Sequence, residues 1–146
     1  MLDAFFNPKS IAVIGASENP QKLGYQVLAN VIVSGFKGGI YPINPKSNEI
    51  SGLKCYASVL DVPEAIDLVV IVVPNTFVAT VLEESGKKGA QGAIIITAGF
   101  REAGAEGLKM EQQLLEIAKK YNMRIVGPNC LGVIDTLVPM NASFAA

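Results

Sequence analysis

Between Ser10 and Val27 the chain reads SIAVIGASENPQKLGYQV, and four residues in it are of types that together can hold an anion: Gly15, Ser17, Lys22 and Gly24. Gly15 permits a tight turn and Ser17 offers a hydroxyl. Lys22 supplies a cation, and Gly24 lets the following helix present its free N–H groups and positive dipole end. The chemistry these residues suit is phosphate binding at a helix N-terminus. Their spacing is neither G-x-G-x-x-G nor G-x-x-x-x-G-K-[ST], so it does not point to NAD or to a P-loop nucleotide. The same residues would also serve an ordinary strand-to-helix turn.

The second strand end carries Asn44, Pro45 and Lys46. A NAD site has an Asp or Glu there to accept from the ribose 2′-OH. A lysine instead attracts a phosphate on the ribose, which fits NADP or coenzyme A and opposes NAD or FAD; a solvated surface lysine is the alternative. Further on, Pro74 follows a buried run, where its missing N–H ends the ladder and its ring can pack on a flat group. Thr97 and Ala98 put small residues at the next strand end, where a ligand or close backbone packing would both suit them. In GPNCLG, Asn129 is a fixed amide and Cys130 a thiol. A nucleophilic cysteine needs an activating base or cation. The chain has no histidine, so Cys130 reads as a small packing residue beside a ligand, and no catalytic or metal-binding residue is assigned.

These residues need elements to carry them. Short Val- and Ile-rich runs predict strands at Ile11–Ile14, Ile40–Ile43, Leu68–Val73, Ala93–Thr97 and Met123–Val126, with a weaker one at Val133–Asp135 and a short extra one near Leu53–Tyr56. Helical spacing predicts Leu23–Ser34 (Val27, Leu28, Val31, Ile32) and Thr76–Lys88 (Val78, Val81, Leu82), each stopping before a glycine. The clearest amphipathic pattern is Glu106–Tyr121, with Leu108, Leu115, Ala118 and Tyr121 on its apolar side. Strands apolar on both faces, alternating with helices, predict a doubly wound, Rossmann-like parallel sheet covered by helices on both sides. Ligands of such sheets sit beyond the carboxyl ends of the strands, where all the residues singled out above fall.

The 146 residues allow one core, with residues 1–138 as the domain and 139–146 expected to open a linker to a further domain. Half the residues are hydrophobic and 17% charged, a globular balance. A formal net charge of −1 leaves no basic stripe for nucleic acid. No apolar run approaches the roughly 18 residues of a spanning helix, and the start shows no cationic leader, so a cytoplasmic location is expected. Two cysteines are too few for a disulfide framework.

Taken in order, SIAVIGAS, YPINPK, DLVVIVVP, IIITAGF and RIVGPNCLG resemble the coenzyme A-binding domain of the NDP-forming acyl-CoA synthetases. The likeness is closest to the N-terminal domain of the ADP-forming acetyl-CoA synthetases and more distant to the succinyl-CoA synthetase α subunit. The resemblance implies that Ser17, Lys22, Leu23 and Gly24 hold the coenzyme's phosphates and that Lys46 meets its ribose phosphate. It implies that Val73, Pro74, Ile96, Thr97 and Ala98 line the coenzyme, and that Asn129 and Cys130 lie toward its thiol. The succinyl-CoA relatives have a shorter loop where this chain has ENPQKLG, so Glu18–Gln21 receive no role. The implied reaction is acyl-CoA, phosphate and ADP giving acid, CoA and ATP through an acyl phosphate and a phosphohistidine. That histidine, the ADP or ATP and its Mg²⁺ belong to other modules, a histidine-bearing α/β domain and an ATP-grasp module, so this chain alone is expected to be inactive. An allosteric CoA-sensing domain of a protein acetyltransferase and an NADP-binding reductase fragment are the alternatives.

Overall fold

In the computed structural model, which describes residues 2–146, alternate residues of each apolar run go to opposite faces of one sheet. Five parallel strands build it: β1 (Ser10–Ile14), β2 (Gly39–Ile43), β5 (Leu68–Ile71), β6 (Gly92–Ile95) and β7 (Arg124–Val126), in the order β2-β1-β5-β6-β7. Ile11 and Val13, Leu68 and Val70, and Ile94 pack with Val27, Leu28 and Val31 of helix α2 (Leu23–Val33). Ala12 and Ile14, Val69 and Ile71, and Ala93 and Ile95 face the other way, onto Val78 and Leu82 of α3 (Asn75–Lys88) and Leu114 and Ile117 of α4 (Ala105–Tyr121). Burial on both faces is what a doubly wound parallel sheet requires, so the expected fold class is the observed one.

The weaker strand is real but lies outside the main sheet. It is β8 (Gly132–Asp135), which pairs antiparallel with β9 (Met140–Ser143). The stretch expected to open a linker therefore packs as part of the domain through Ser143: Met140, Ala142 and Ser143 are buried, and the Asn30 amide of α2 donates to the Ser143 and Ala145 carbonyls at 2.9 Å each. The short extra strand is β4 (Leu53–Lys54), in a hairpin with β3 (Glu49–Ile50). A four-residue helix, α1 (Asp3–Phe6), puts Phe5 into the α2-side core; it was not expected from the pattern. No helix of the described residues is long and apolar enough to cross a membrane.

Two helix faces differ from expectation. On α4, Leu108 and Leu115 are 37% and 50% exposed, while Gly107, Leu114, Ile117 and Ala118 are buried. Contact at Gly107 sets the rotation: a Cβ there would sit 1.7 Å from the Phe100 carbonyl oxygen, so that edge of the helix must face inward. On α2, Ile32 is at the flank and 37% exposed, because the line Gly24, Val27, Leu28, Val31 meets the sheet.

Candidate functional site

The chain leaves β1 toward β2 on one side and returns to β5 on the other, so the connections beyond β1 and β5 diverge and open a crevice at the strands' carboxyl ends. A cleft of about 800 Å³ lies there, within the usual size of small-molecule sites. Its shape begins with two glycines. Gly15 has φ +98°, and a Cβ on it would lie 2.8 Å from the Val72 carbonyl oxygen. A Cβ on Gly24 would lie 1.9 Å from the Gly15 carbonyl oxygen. Helix α2 therefore starts directly against the turn, with its first N–H groups at the cleft.

That helix end is electrostatically prepared for an anion. Lys22 stands at the N-cap with no side-chain acceptor, and no acid occupies the first turn. Helix α3 begins at the same cleft with Pro74 at its N-cap, again without a side-chain cap or an acid in the first turn. The orphan N–H groups and positive dipole ends of both helices thus face one space. Lys22 and Lys46 line it, both exposed. Among the described residues neither is ion-paired, the bridges being Arg101 to Glu111 and Lys120 to Glu83. Ser17 Oγ accepts the Asn19 N–H at 3.0 Å, leaving its own proton to donate. Asn44 stitches the first two strand ends: its amide donates to the Ala16 carbonyl at 2.8 Å and its Oδ1 accepts the Lys46 N–H at 2.9 Å.

Of the residues singled out in the sequence, Ser17, Lys22, Leu23, Gly24, Lys46, Val73, Pro74, Thr97 and Ala98 share the walls of this cleft. Ile96, Asn129 and Cys130 are not among its lining. Ile96 is 4% exposed and belongs to the α2-side core. Asn129 is exposed and adjacent: its N–H donates to the Thr97 carbonyl at 3.0 Å, and Thr97 Oγ1 donates to the Val73 carbonyl at 2.6 Å, linking three strand ends. Cys130 turns back toward the sheet, its thiol donating to the Ile95 carbonyl at 3.4 Å. Burial pushes the Cys130 thiol pKa up, so it stays protonated at neutral pH and is a poor nucleophile.

Sequence reasoning missed one wall. Phe77, Val81 and Glu84, spaced by four and three, share a face of α3 that lines the cleft along with Ala57. Phe77 is 58% exposed. The signal was present: a large apolar residue in the first turn of a helix, off the Val78–Leu82 line that the core takes.

A family model described as a CoA binding domain matches residues 9–136. The chain belongs to this CoA-binding domain family. It is 58% identical over 138 residues to an ADP-forming acetate-CoA ligase of Methanocaldococcus jannaschii, covering 94% of this chain and 19% of that protein. It is 56% identical over 140 residues to an ADP-forming 4-hydroxybutyrate-CoA ligase of Nitrosopumilus maritimus, covering 94% and 20%. Among solved structures, the dinucleotide-forming acetyl-coenzyme A synthetase 1 of Ca. Korarchaeum cryptofilum, in complex with phosphate and ADP, superposes with a TM-score of 0.96 at 44% identity, over 100% of this chain and 31% of that one. The CoA-binding domain thus spans between a fifth and a third of these much longer relatives.

Proposed function

We propose that the chain binds coenzyme A along this cleft, as the coenzyme-holding part of a larger NDP-forming acyl-CoA synthetase. The observation that carries the reading is the convergence of two uncapped helix N-termini and two unpaired lysines on one cleft with apolar walls. In this reading the diphosphate sits on Ser17, Lys22 and the Leu23 and Gly24 amides, and Lys46 takes the ribose 3′-phosphate. The base lies against Phe77 and Val81. The pantetheine arm passes Val73, Pro74, Thr97 and Ala98, bringing the thioester toward Asn129.

With no histidine in the chain, the domain's work is to bind and orient. It fixes the thioester so that phosphate can attack the carbonyl carbon, the C–S bond breaks, and acyl phosphate and CoA thiolate leave. Transfer of the phosphoryl group to a histidine and then to ADP, with Mg²⁺, belongs to the further modules, on the same or a separate polypeptide. Choice of acid also belongs elsewhere: ligases named for acetate and for 4-hydroxybutyrate match this domain almost equally, at 58% and 56%. Free Cys55 and Cys130 suit a reducing cytoplasm.

Calorimetry with CoA, dephospho-CoA and NADPH tests the reading. CoA is expected to bind, dephospho-CoA to bind more weakly and NADPH not to bind. No binding of CoA would overturn the proposal, equal binding of the first two would remove the role of Lys46, and tight NADPH binding without CoA would favour a reductase fragment.

A further inference from the structure

We infer that Glu18 is a positioning residue that latches the phosphate loop to the β3–β4 hairpin; the inference rests on the coenzyme reading above. The loop between β1 and α2 shapes itself with short-range bonds. Ser17 Oγ accepts the Asn19 N–H, Asn19 Oδ1 accepts the Gln21 N–H at 3.0 Å, and the Asn19 carbonyl accepts the Lys22 N–H at 3.0 Å. Gly15 and Ala16 are held to the β2 end by the Ile43 carbonyl and the Asn44 amide, and these bonds leave the seat of residues 18–21 on the domain open.

Residues 18–21 are all exposed, so burial does not seat them. The hydrogen bond that ties this stretch to another part of the fold, among the described residues, is from the Ser51 N–H to Glu18 Oε1 at 2.8 Å, across 33 positions of sequence. Ser51 opens the hairpin turn with φ 52°, outside the ladder pairs Glu49–Lys54 and Ile50–Leu53. The hairpin is itself a fixed point. Ile50 is fully buried and Cys55 nearly so, in the same cluster as Ala16 and Val27.

Glu18 therefore joins an exposed loop to an anchored turn, and this seats Ser17 and Lys22 at the mouth of the cleft. Its carboxylate, engaged by the Ser51 amide, makes no ion pair with Lys22, whose ammonium stays available to the ligand.

Two substitutions separate the latch from the charge. Both Glu18→Gln and Glu18→Ala remove the negative charge, and only glutamine keeps an acceptor for the Ser51 N–H. Calorimetry is expected to show Glu18→Ala weakening CoA and dephospho-CoA alike by about fivefold, with Glu18→Gln within about twofold of the wild type. In the ligand-free protein, hydrogen exchange of amides 19, 21, 22 and 51 is expected to quicken in Glu18→Ala and stay near wild type in Glu18→Gln. Equal affinity of the two variants, or tighter binding by Glu18→Ala than by the wild type, would overturn the latch. Failure of the wild type to bind CoA would instead refute the coenzyme reading, and the exchange comparison would still decide whether the latch exists.

Discussion

Two concavities of the molecule differ in what their polar groups are doing. The cleft at the strand ends gathers two uncapped helix starts, two lysines without carboxylate partners and a half-exposed phenylalanine. The groove between α3 and α4, about 530 Å³, has an ion pair among its walls. Lys120 bridges Glu83 at 3.1 Å, and the Tyr121 hydroxyl donates to the same carboxylate. The Tyr121 hydroxyl, aided by Lys120, holds the Glu83 pKa below the usual carboxylate range. What separates the two is the convergence of helix N-termini and lysines: the cleft has two uncapped helix starts facing it, while the groove runs along the sides of two helices and its central charges, Glu83 and Lys120, are paired with each other.

Four substitutions would break or sharpen this contrast. Gly24→Ala should have the largest effect, since the added methyl would meet the Gly15 carbonyl at 1.9 Å. We expect coenzyme binding to be lost and denaturant titration to show destabilisation on the order of 1–3 kcal/mol, the usual cost of overpacking. Full binding with unchanged stability would mean that α2 can back away from the turn. Lys46→Ala should weaken CoA by about tenfold and leave dephospho-CoA nearly unchanged, as loss of one charge-assisted bond in partial solvent predicts. Equal weakening of both ligands in calorimetry would contradict the assignment.

Phe77→Ala should weaken both coenzyme forms by about fivefold, the scale of one aromatic contact. Because Phe77 is 58% exposed, its melting temperature should hardly move; a large drop would show that the ring is structural. Glu83→Gln should have the smallest effect, leaving CoA affinity unchanged and lowering the melting temperature slightly at neutral pH. A carboxylate with a depressed folded-state pKa adds stability above its unfolded pKa of about 4.3 and loses it as pH falls through the lower folded value. The gap between wild type and Glu83→Gln in thermal melts should therefore close on acidification; a gap that persists at low pH would place the effect in packing.

Much of the fold was legible because parallel strands buried on both faces must be continuous apolar runs. Leu68–Ile71 and Gly92–Ile95 show this, and their predicted ends overran only where Val72, Val73, Ile96 and Thr97 leave the ladder at the cleft end. The face of α4 was misread because Leu108 and Leu115 satisfy the helical period as well as Leu114 and Ile117 do. Contact of Gly107 with Phe100 chose between them, and no pattern within the helix records that contact. Asn129 and Cys130 lie at the strand ends, but their contacts, the Asn129 backbone N–H to the Thr97 carbonyl and the Cys130 thiol to the Ile95 carbonyl, reach neighbouring strands that no local pattern specifies.

What the sequence determined by itself was local and periodic: which runs become strands, where glycines interrupt helices, and that Ser17, Lys22 and Lys46 stand just past strand ends. These follow from backbone sterics and side-chain alternation, which act over a few residues. Tertiary structure decided which strand ends share one crevice, that Phe77 completes its wall, and that Glu18 reaches Ser51. Those outcomes depend on the order β2-β1-β5-β6-β7 and on contacts between residues far apart in the chain. The composition of GASENPQKLG suggests an anion loop, but the tie that its exposed stretch 18–21 makes to the rest of the domain comes from a hairpin 33 residues away.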